Sequence, residues 1–345
     1  MPSKLNDPAP AIVLVTGISG FLGGHIAKQL LAAGYHVRGS VRSIGVCDRI
    51  RRQLCPDTAT EAVSFVQADL CSDAGWDVAL RGCRFVIHTA SPFPATLPKD
   101  ANLMIRTARD GTLRVLRAAH EAGVARVVLT SSIAATNHGN GQAPFTENDW
   151  TDPASARATP YYRSKTLAEQ AAWTLAKETG LDLAVINPAT IFGPLLGPEH
   201  GTSVGLIRQM MSGQLRRVPR FGFSVVDVRD AADAHVRAMT HPDASGQRFI
   251  VGGRFFWLRE LAAVLARSFP AHAAHLPSGE VPDWMVRAMA PFSARSRMIV
   301  HELSRDLSVS AAKAQRILNW KARPDEDCIR ATAQSLIGHG LIAAA

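Results

Sequence analysis

Near its N-terminus the chain carries a continuous aliphatic run, Ala11 to Thr16 (AIVLVT), that ends in a glycine turn. A run without polar alternation predicts a strand buried on both faces, as in the centre of a parallel sheet. From Gly24 to Ala33 apolar residues recur at helical spacing and stop at Gly34, a natural C-cap residue, so strand, turn and helix follow in that order. The pattern repeats. Strands are predicted at Tyr35 to Val41, Val63 to Gln67, Phe85 to Thr89, Arg126 to Thr130 and Leu183 to Ile186, with helices from about Leu103 to Ala122 and Tyr161 to Glu178.

Strands alternating with helices predict an α/β fold, a Rossmann-type doubly wound parallel sheet. After Pro188 the rhythm loosens around Gly193, Pro194, Gly197 and Pro198. Short strands are expected near Ser224 to Val228 and Gln247 to Val251, and helices around Leu258 to Ser268, Asp283 to Met289 and Ala311 to Leu318. The expected organisation is therefore a polar tail over 1–10 and a dinucleotide-binding Rossmann domain over 11–187, to which 215–252 returns. A smaller, mostly helical substrate-binding lobe takes 188–214 and 253–345. No repeat or low-complexity linker separates them.

Composition changes this picture little. Apolar residues at 47% and charged residues at 19% are ordinary for a globular enzyme. The net charge of +9 is spread along the chain, with one short cluster at Arg49, Arg51 and Arg52, and no zinc-finger, RNA-binding or basic-zipper pattern accompanies it, so nucleic acid is not an expected partner. Five scattered cysteines without CxxC spacing read as free thiols. The polar N-terminal leader and the proline-broken apolar stretches leave no signal peptide or membrane span to expect, and a cytoplasmic location follows by default; monomer and homodimer both stay open. Twelve histidines show no HExxH or comparable spacing, and no metal is expected.

The turn Thr16-Gly17-Ile18-Ser19-Gly20-Phe21-Leu22-Gly23 spaces three glycines between a predicted strand and a predicted helix. Glycine there permits a tight turn, close approach of backbone to a pyrophosphate and close helix packing, while a helix N-terminus favours negative charge. NAD enzymes usually end the second strand on a carboxylate that bonds the ribose 2′-hydroxyl. Here that stretch is His36-Val37-Arg38-Gly39-Ser40-Val41-Arg42, with no acid. Arg42, with Arg49 closing from the following segment, suits the 2′-phosphate of NADP. Arg38, Arg51 and Arg52 read as solvated surface. Asp69, after the third strand, is placed to bond an adenine amino group or to cap the next helix.

Tyr161 and Lys165 stand four residues apart at the start of a helix, hence on one face. A phenol titrates near ~10, and a neighbouring ammonium is expected to lower that value and make a usable proton donor. Ser132, just past a strand, is placed to donate to a carbonyl oxygen as charge grows on it. Glycine turn, Thr130-Ser131-Ser132, the Tyr161/Lys165 pair and Asn187-Pro188 come in the order that one nicotinamide site requires.

With TGISGFLG (16–23), VRGSVR (37–42), ADL (68–70), HTASP (88–92), TSS (130–132), YYRSKTLAE (161–169), NPATIFGP (187–194) and DVRDAADAH (227–235), the chain resembles the extended short-chain dehydrogenases/reductases over about residues 11 to 340. Within them it is similar to the dihydroflavonol reductase and cinnamoyl-CoA reductase-like group, which includes microbial ketone and aldehyde reductases. The resemblance implies an NADPH-dependent carbonyl reductase in which Ser132, Tyr161 and Lys165 form the catalytic triad, Lys165 also bonding the nicotinamide ribose. It implies cofactor contacts from Gly17, Ser19, Gly20, Phe21, Leu22 and Gly23 at the turn, and from Arg42, Arg49, Asp69, Leu70 and Thr130. Thr89, Ala90 and Ser91 would line the ribose side, Pro188 and Ile191 would support the nicotinamide, and Ser203 would reach the pyrophosphate.

The chain departs from the plant enzymes in two places. Ser224-Val225-Val226 lacks the glutamine that helps hold a flavonoid, and no cinnamoyl-CoA signature follows the NP segment, so a plant-type substrate is not expected. Phe93, Asn137, Tyr162, Phe192 and Phe221 are candidates to line the substrate pocket. Two alternatives share the scaffold. An NAD-dependent sugar-nucleotide epimerase or dehydratase would keep the triad but favour an acid where Arg42 stands. A non-catalytic NADP-sensing regulator would have lost the tyrosine and lysine, and both are present.

Overall fold

The computed structural model describes residues 10–55, 60–91, 100–139 and 141–343. Its strands are β1 (Ile12–Thr16), β2 (His36–Val41), β3 (Val63–Gln67), β4 (Cys83–His88), β5 (Arg126–Thr130), β6 (Leu183–Pro188), β7 (Thr190–Phe192), β8 (Arg217–Pro219), β9 (Gly222–Asp227), β10 (Arg248–Val251), β11 (Phe255–Trp257) and β12 (Gly279–Val281). The helices are α1 (Phe21–Ala32), α2 (Cys47–Leu54), α3 (Trp76–Leu80), α4 (Ala101–Glu121), α5 (Pro160–Thr179), α6 (Thr202–Met211), α7 (Val228–Thr240) and α8 (Leu258–Ser268). Beyond them lie α9 (Asp283–Met289), α10 (Ala294–Ile299), α11 (Ala312–Leu318) and α12 (Asp325–Gly338).

Seven parallel strands form one sheet in the order β10-β6-β5-β4-β1-β2-β3. Strand alternation divides its apolar residues between two faces. Val13 and Val15 meet Ile26, Ala27 and Leu30 of α1 and the alanines of α7 on one side. Leu14, Val86 and Val127 meet Val115 and Leu116 of α4 and Ala172 and Leu175 of α5 on the other. Covered on both faces, the central strands carry almost no polar residue, which is why the aliphatic runs read so directly from the sequence. The strand order reverses beside β1, and the crevice at the carboxyl ends of β1 and β4 is where a doubly wound sheet takes its ligand.

The C-terminal lobe has a core of its own around Phe192, Ile207, Met210, Phe256, Leu261 and Ile329. The segment 215–252 divides between the main sheet and the lobe. β10 joins the main sheet and α7 packs on α1, while β9 pairs with β7 and β11 in a separate three-stranded sheet. No helix among the described residues is long and apolar enough to cross a membrane.

Candidate active site

The glycine turn sits at the carboxyl end of β1. Gly17 has φ +68, and a Cβ there would come within 2.9 Å of Thr89 Oγ1 and 3.0 Å of Ala90 Cα. A Cβ on Gly23 would strike the Gly17 carbonyl. Both positions therefore demand glycine, the first for backbone and space, the second for helix-to-turn packing. Helix α1 starts at Phe21, directly on the turn, so its free N–H groups face the crevice. Gly20, Phe21 and Ser19 line a cleft with Ile50, Gln53 and Glu199, while Leu22 is buried beneath.

The turn is locked to β4. Thr89 Oγ1 donates to Thr16 O (2.6 Å), Ala90 N donates to Thr16 Oγ1 (3.0 Å), and that hydroxyl is also 2.7 Å from His88 Nδ1. Ala90 and Ser91 then line a second cleft with Thr130, Ser131, Lys165 and Glu169. Thr130 is fixed from below: His235 Nδ1 donates to Ala231 O, so its neutral Nε2 accepts from Thr130 Oγ1 at 2.8 Å.

At the end of β2, Arg42 is exposed, and its guanidinium makes no ion pair among the described residues. Its carbonyl accepts from Gln67 (3.0 Å). Arg49 differs from the expectation of a free phosphate ligand, because it is ion-paired with Glu199 across the cleft beside the turn. Arg38 is also not simply solvated: its Nη1 donates to the carbonyls of Val78, Ala79 and Arg81, which satisfies the C-terminal end of α3. Asp69 caps no helix; its Oδ1 accepts from Cys71 N (2.8 Å) in a local turn. Leu70 is half-buried, its carbonyl taken by Arg114.

Ser132, Tyr161 and Lys165 converge from β5 and α5. Ser132 is extended (φ −167, ψ 155) at the start of a short turn, and its Oγ accepts from Ala134 N (3.1 Å), leaving its O–H to donate. Thr159 caps α5 and Pro160 takes its first position, which places Tyr161 in the first turn, facing Ser132. The Ser132 and Tyr161 hydroxyls are hydrogen-bonded to each other. The downward shift expected for the Tyr161 phenol is not found. Burial pushes it above its ordinary value, because a phenolate loses its water there, and the bond to Ser132 is what opposes the rise. Lys165 is itself pushed down to about 8 by burial, against the pull of the Glu169 carboxylate.

Other expected site residues are committed elsewhere. Ser203 Oγ donates to Ile191 O (2.7 Å), tying the first turn of α6 to β7 rather than pointing at a phosphate. Pro188 is buried at the end of β6, and Ile191 is half-buried. Phe192 is fully buried in the core of the C-terminal lobe beside Phe223, so it walls no pocket. Phe221 is half-buried and packs edge-on against Phe223. Asn137 is buried, its Nδ2 donating to Leu307 O (3.1 Å). Tyr162 stacks flat on His138 (centroids 3.7 Å apart) and bonds Glu302 through its hydroxyl. Phe93 lies outside the described residues.

Sequence reasoning missed His138, Glu302, Glu169 and Arg248. Glu169 had a readable signal: it follows Lys165 at helical i,i+4 spacing within YYRSKTLAE. The others come from distant segments and gave none.

Residues 13–252 match the model of the NAD dependent epimerase/dehydratase family. The chain is 35% identical over 267 residues to cinnamoyl-CoA reductase CAD2 of Medicago truncatula, covering 75% of this chain and 81% of that one. It is 34% identical to tetraketide alpha-pyrone reductase 1 of Arabidopsis thaliana, covering 77% of this chain and 83% of that one. Its fold superposes on yeast methylglyoxal/isovaleraldehyde reductase Gre2 complexed with NADPH at a TM-score of 0.80, with 26% identity over 96% of this chain and 100% of that one. The chain belongs to the NAD dependent epimerase/dehydratase family, the extended short-chain dehydrogenases/reductases. Within that family it falls in the group of the dihydroflavonol and cinnamoyl-CoA reductases.

Proposed function

We propose that this protein is an NADPH-dependent carbonyl reductase that converts a ketone or aldehyde to an alcohol, reversibly. The observation that carries the reading is the hydrogen-bonded pair of Ser132 and Tyr161 hydroxyls, with Lys165 one helical turn beyond, beside a turn that only glycine allows. Relatives with reductase names and a structural neighbour that holds NADPH support it.

The residues fit a dinucleotide. The space that a Cβ at Gly17 would fill lies against Ala90, and the α1 N-terminus opens on the same crevice, as a pyrophosphate requires. Arg42, exposed where an acid would select NAD, supports the 2′-phosphate. Thr89, Ala90, Ser91, Thr130 and Lys165 border the ribose side. NADPH, when bound there, supplies the hydride.

Ser132 donates to the substrate oxygen and stabilises the charge that grows on it. Tyr161 passes its proton to that oxygen. A phenol held above its ordinary pKa keeps the proton available at neutral pH, and the Lys165 ammonium stabilises the phenolate left behind. Tyr162, its ring edge-on to Tyr161 at 6.0 Å between centroids, borders the substrate side; the natural carbonyl compound is to be found by assay. NADPH consumption against aryl ketones, diketones, aldehydes and sterol ketones tests the reading. Turnover with at least one class, faster with NADPH than with NADH, is expected; no turnover with any of them would overturn it in favour of an NADP sensor.

A further inference from the structure

Glu169 of α5 is fully buried, its side chain 0% exposed, and four side chains converge on its carboxylate. Ser131 Oγ donates to Oε2 (2.5 Å), as do Asn187 Nδ2 (2.8 Å) and Arg248 Nη2 (3.2 Å). Arg248 Nε lies 2.8 Å from Oε1, to which Trp173 Nε1 donates at 3.3 Å. Arg248 is held in turn by the carbonyls of Glu147 (3.2 Å) and Asp149 (3.0 Å) and by the Trp150 ring, 3.7 Å from its guanidinium carbon. Asn187 spends its second amide hydrogen on Ser132 O (3.1 Å), so the hub is tied to the backbone of the reactive serine.

Glu169 and Lys165, one helical turn apart on α5, line the same cleft. One buried carboxylate thus serves two cations, Arg248 and Lys165, and the trio carries a net positive charge beside Tyr161. An ion buried without a partner is costly, and removing one member of such a set leaves the rest uncompensated.

We propose that Glu169 is a positioning residue for carbonyl reduction, the buried counter-ion that keeps Lys165 charged beside Tyr161. This rests on the reductase reading above. Burial drives the Lys165 ammonium toward neutrality, and the Glu169 charge is what opposes it. The other titratable groups around Lys165 do not substitute for it. Tyr161 is protonated at rest, His88 on β4 is neutral through burial and the Lys165 charge itself, and Arg248 is cationic on the far side of Glu169.

The test is Glu169→Gln, which keeps size and hydrogen-bonding shape and removes the charge. Lys165 must be protonated to act, so activity is lost as pH rises through its pKa. The alkaline limb of kcat is expected to move to lower pH by about one unit or more. A merely structural role would lower kcat by one factor at every pH and leave the limb in place, which overturns the proposal. Because glutamine leaves Arg248 unpaired, the double variant Glu169→Gln/Arg248→Met, which removes both buried charges, must show a shift of the same sign. The chain has seven lysines, so the Lys165 titration is also readable by NMR of 13C-lysine-labelled protein. That measurement decides the charge relation even if no carbonyl substrate turns over: an unshifted Lys165 refutes this proposal, whereas an inactive parent with a shifted Lys165 refutes only the reductase reading.

Discussion

Arg42 shows how much the proposed cofactor choice rests on a single side chain. Arg42 has its guanidinium exposed at the strand end where a carboxylate would favour NAD. A charge-assisted bond to a phosphate is worth about 1.5 to 3 kcal/mol, so Arg42→Ala should weaken NADPH binding roughly 10- to 100-fold and leave NADH nearly unchanged. Fluorescence titration of both cofactors checks this; an equal loss for both would remove Arg42 from the selection. Arg49 was equally readable as a basic residue, but its partner Glu199 lies 150 positions away in sequence and no local pattern announces it. The same holds for Tyr162, whose flat stack on His138 and bond to Glu302 join three separate segments. Residue types and spacing singled out Ser132, Tyr161 and Lys165, whose first two hydroxyls the fold brings together, while the commitments of their neighbours are tertiary.

Legibility did not track burial alone: the edge strand β3 and the mostly exposed α9 were as readable as the buried β5. β3 and β5 fall on the predicted residues, and α8 and α9 match as well, because apolar period and boundaries agree there. α1 begins at Phe21, three residues before the helical pattern becomes visible, since the glycines that open it also hide it. α7 was missed because its buried face is made of alanines, and α12 because it opens on Asp325-Glu326-Asp327, a first turn that suits the helix dipole but reads as polar loop. α6 was obscured by the surrounding glycines and prolines. The turn itself yields a prediction at this scale. Gly23→Ala forces a methyl against the Gly17 carbonyl, where backbone must move, and should destabilise the protein by roughly 1 to 3 kcal/mol while weakening NADPH binding. Thermal melts with and without NADPH measure both; an unchanged melt would show that the turn is not tightly packed.

For the whole molecule, burial of titratable groups sets the response to pH. His25 and His235 are pushed to about 4, and His88 and His138 to about 3, chiefly by burial. Their folded values lie below the ordinary 6.5, so the unfolded chain binds more protons. The stability they carry is present above pH 6.5 and is lost as pH falls through about 4 for His25 and His235 and about 3 for His88 and His138. Glu302 works in the opposite sense: burial raises it from 4.5 to about 7, so its share of the stability falls as pH rises across that interval. Glu302→Gln, which mimics the protonated acid, should leave stability unchanged near pH 4.5 and raise it at pH 8, by about 3 kcal/mol at most. Urea unfolding at the two pH values checks this, and an equal effect at both would contradict the assignment. The change of pattern after Pro188 was visible in the sequence, but the pairing of β10 with β6 in the main sheet and of β9 with β11 outside it depends on strand pairing that no local pattern encodes.

The central claim is that Tyr161 delivers the proton in a hydride transfer from NADPH. The most direct measurement follows label from NADPH deuterated at the transferable position into the product of a carbonyl substrate found in the panel. The parent protein should place deuterium on the carbinol carbon, and Tyr161→Phe should form at least about 100-fold less alcohol while still binding NADPH. Label transfer at the parent rate in Tyr161→Phe, or alcohol from the parent without deuterium, would contradict the account.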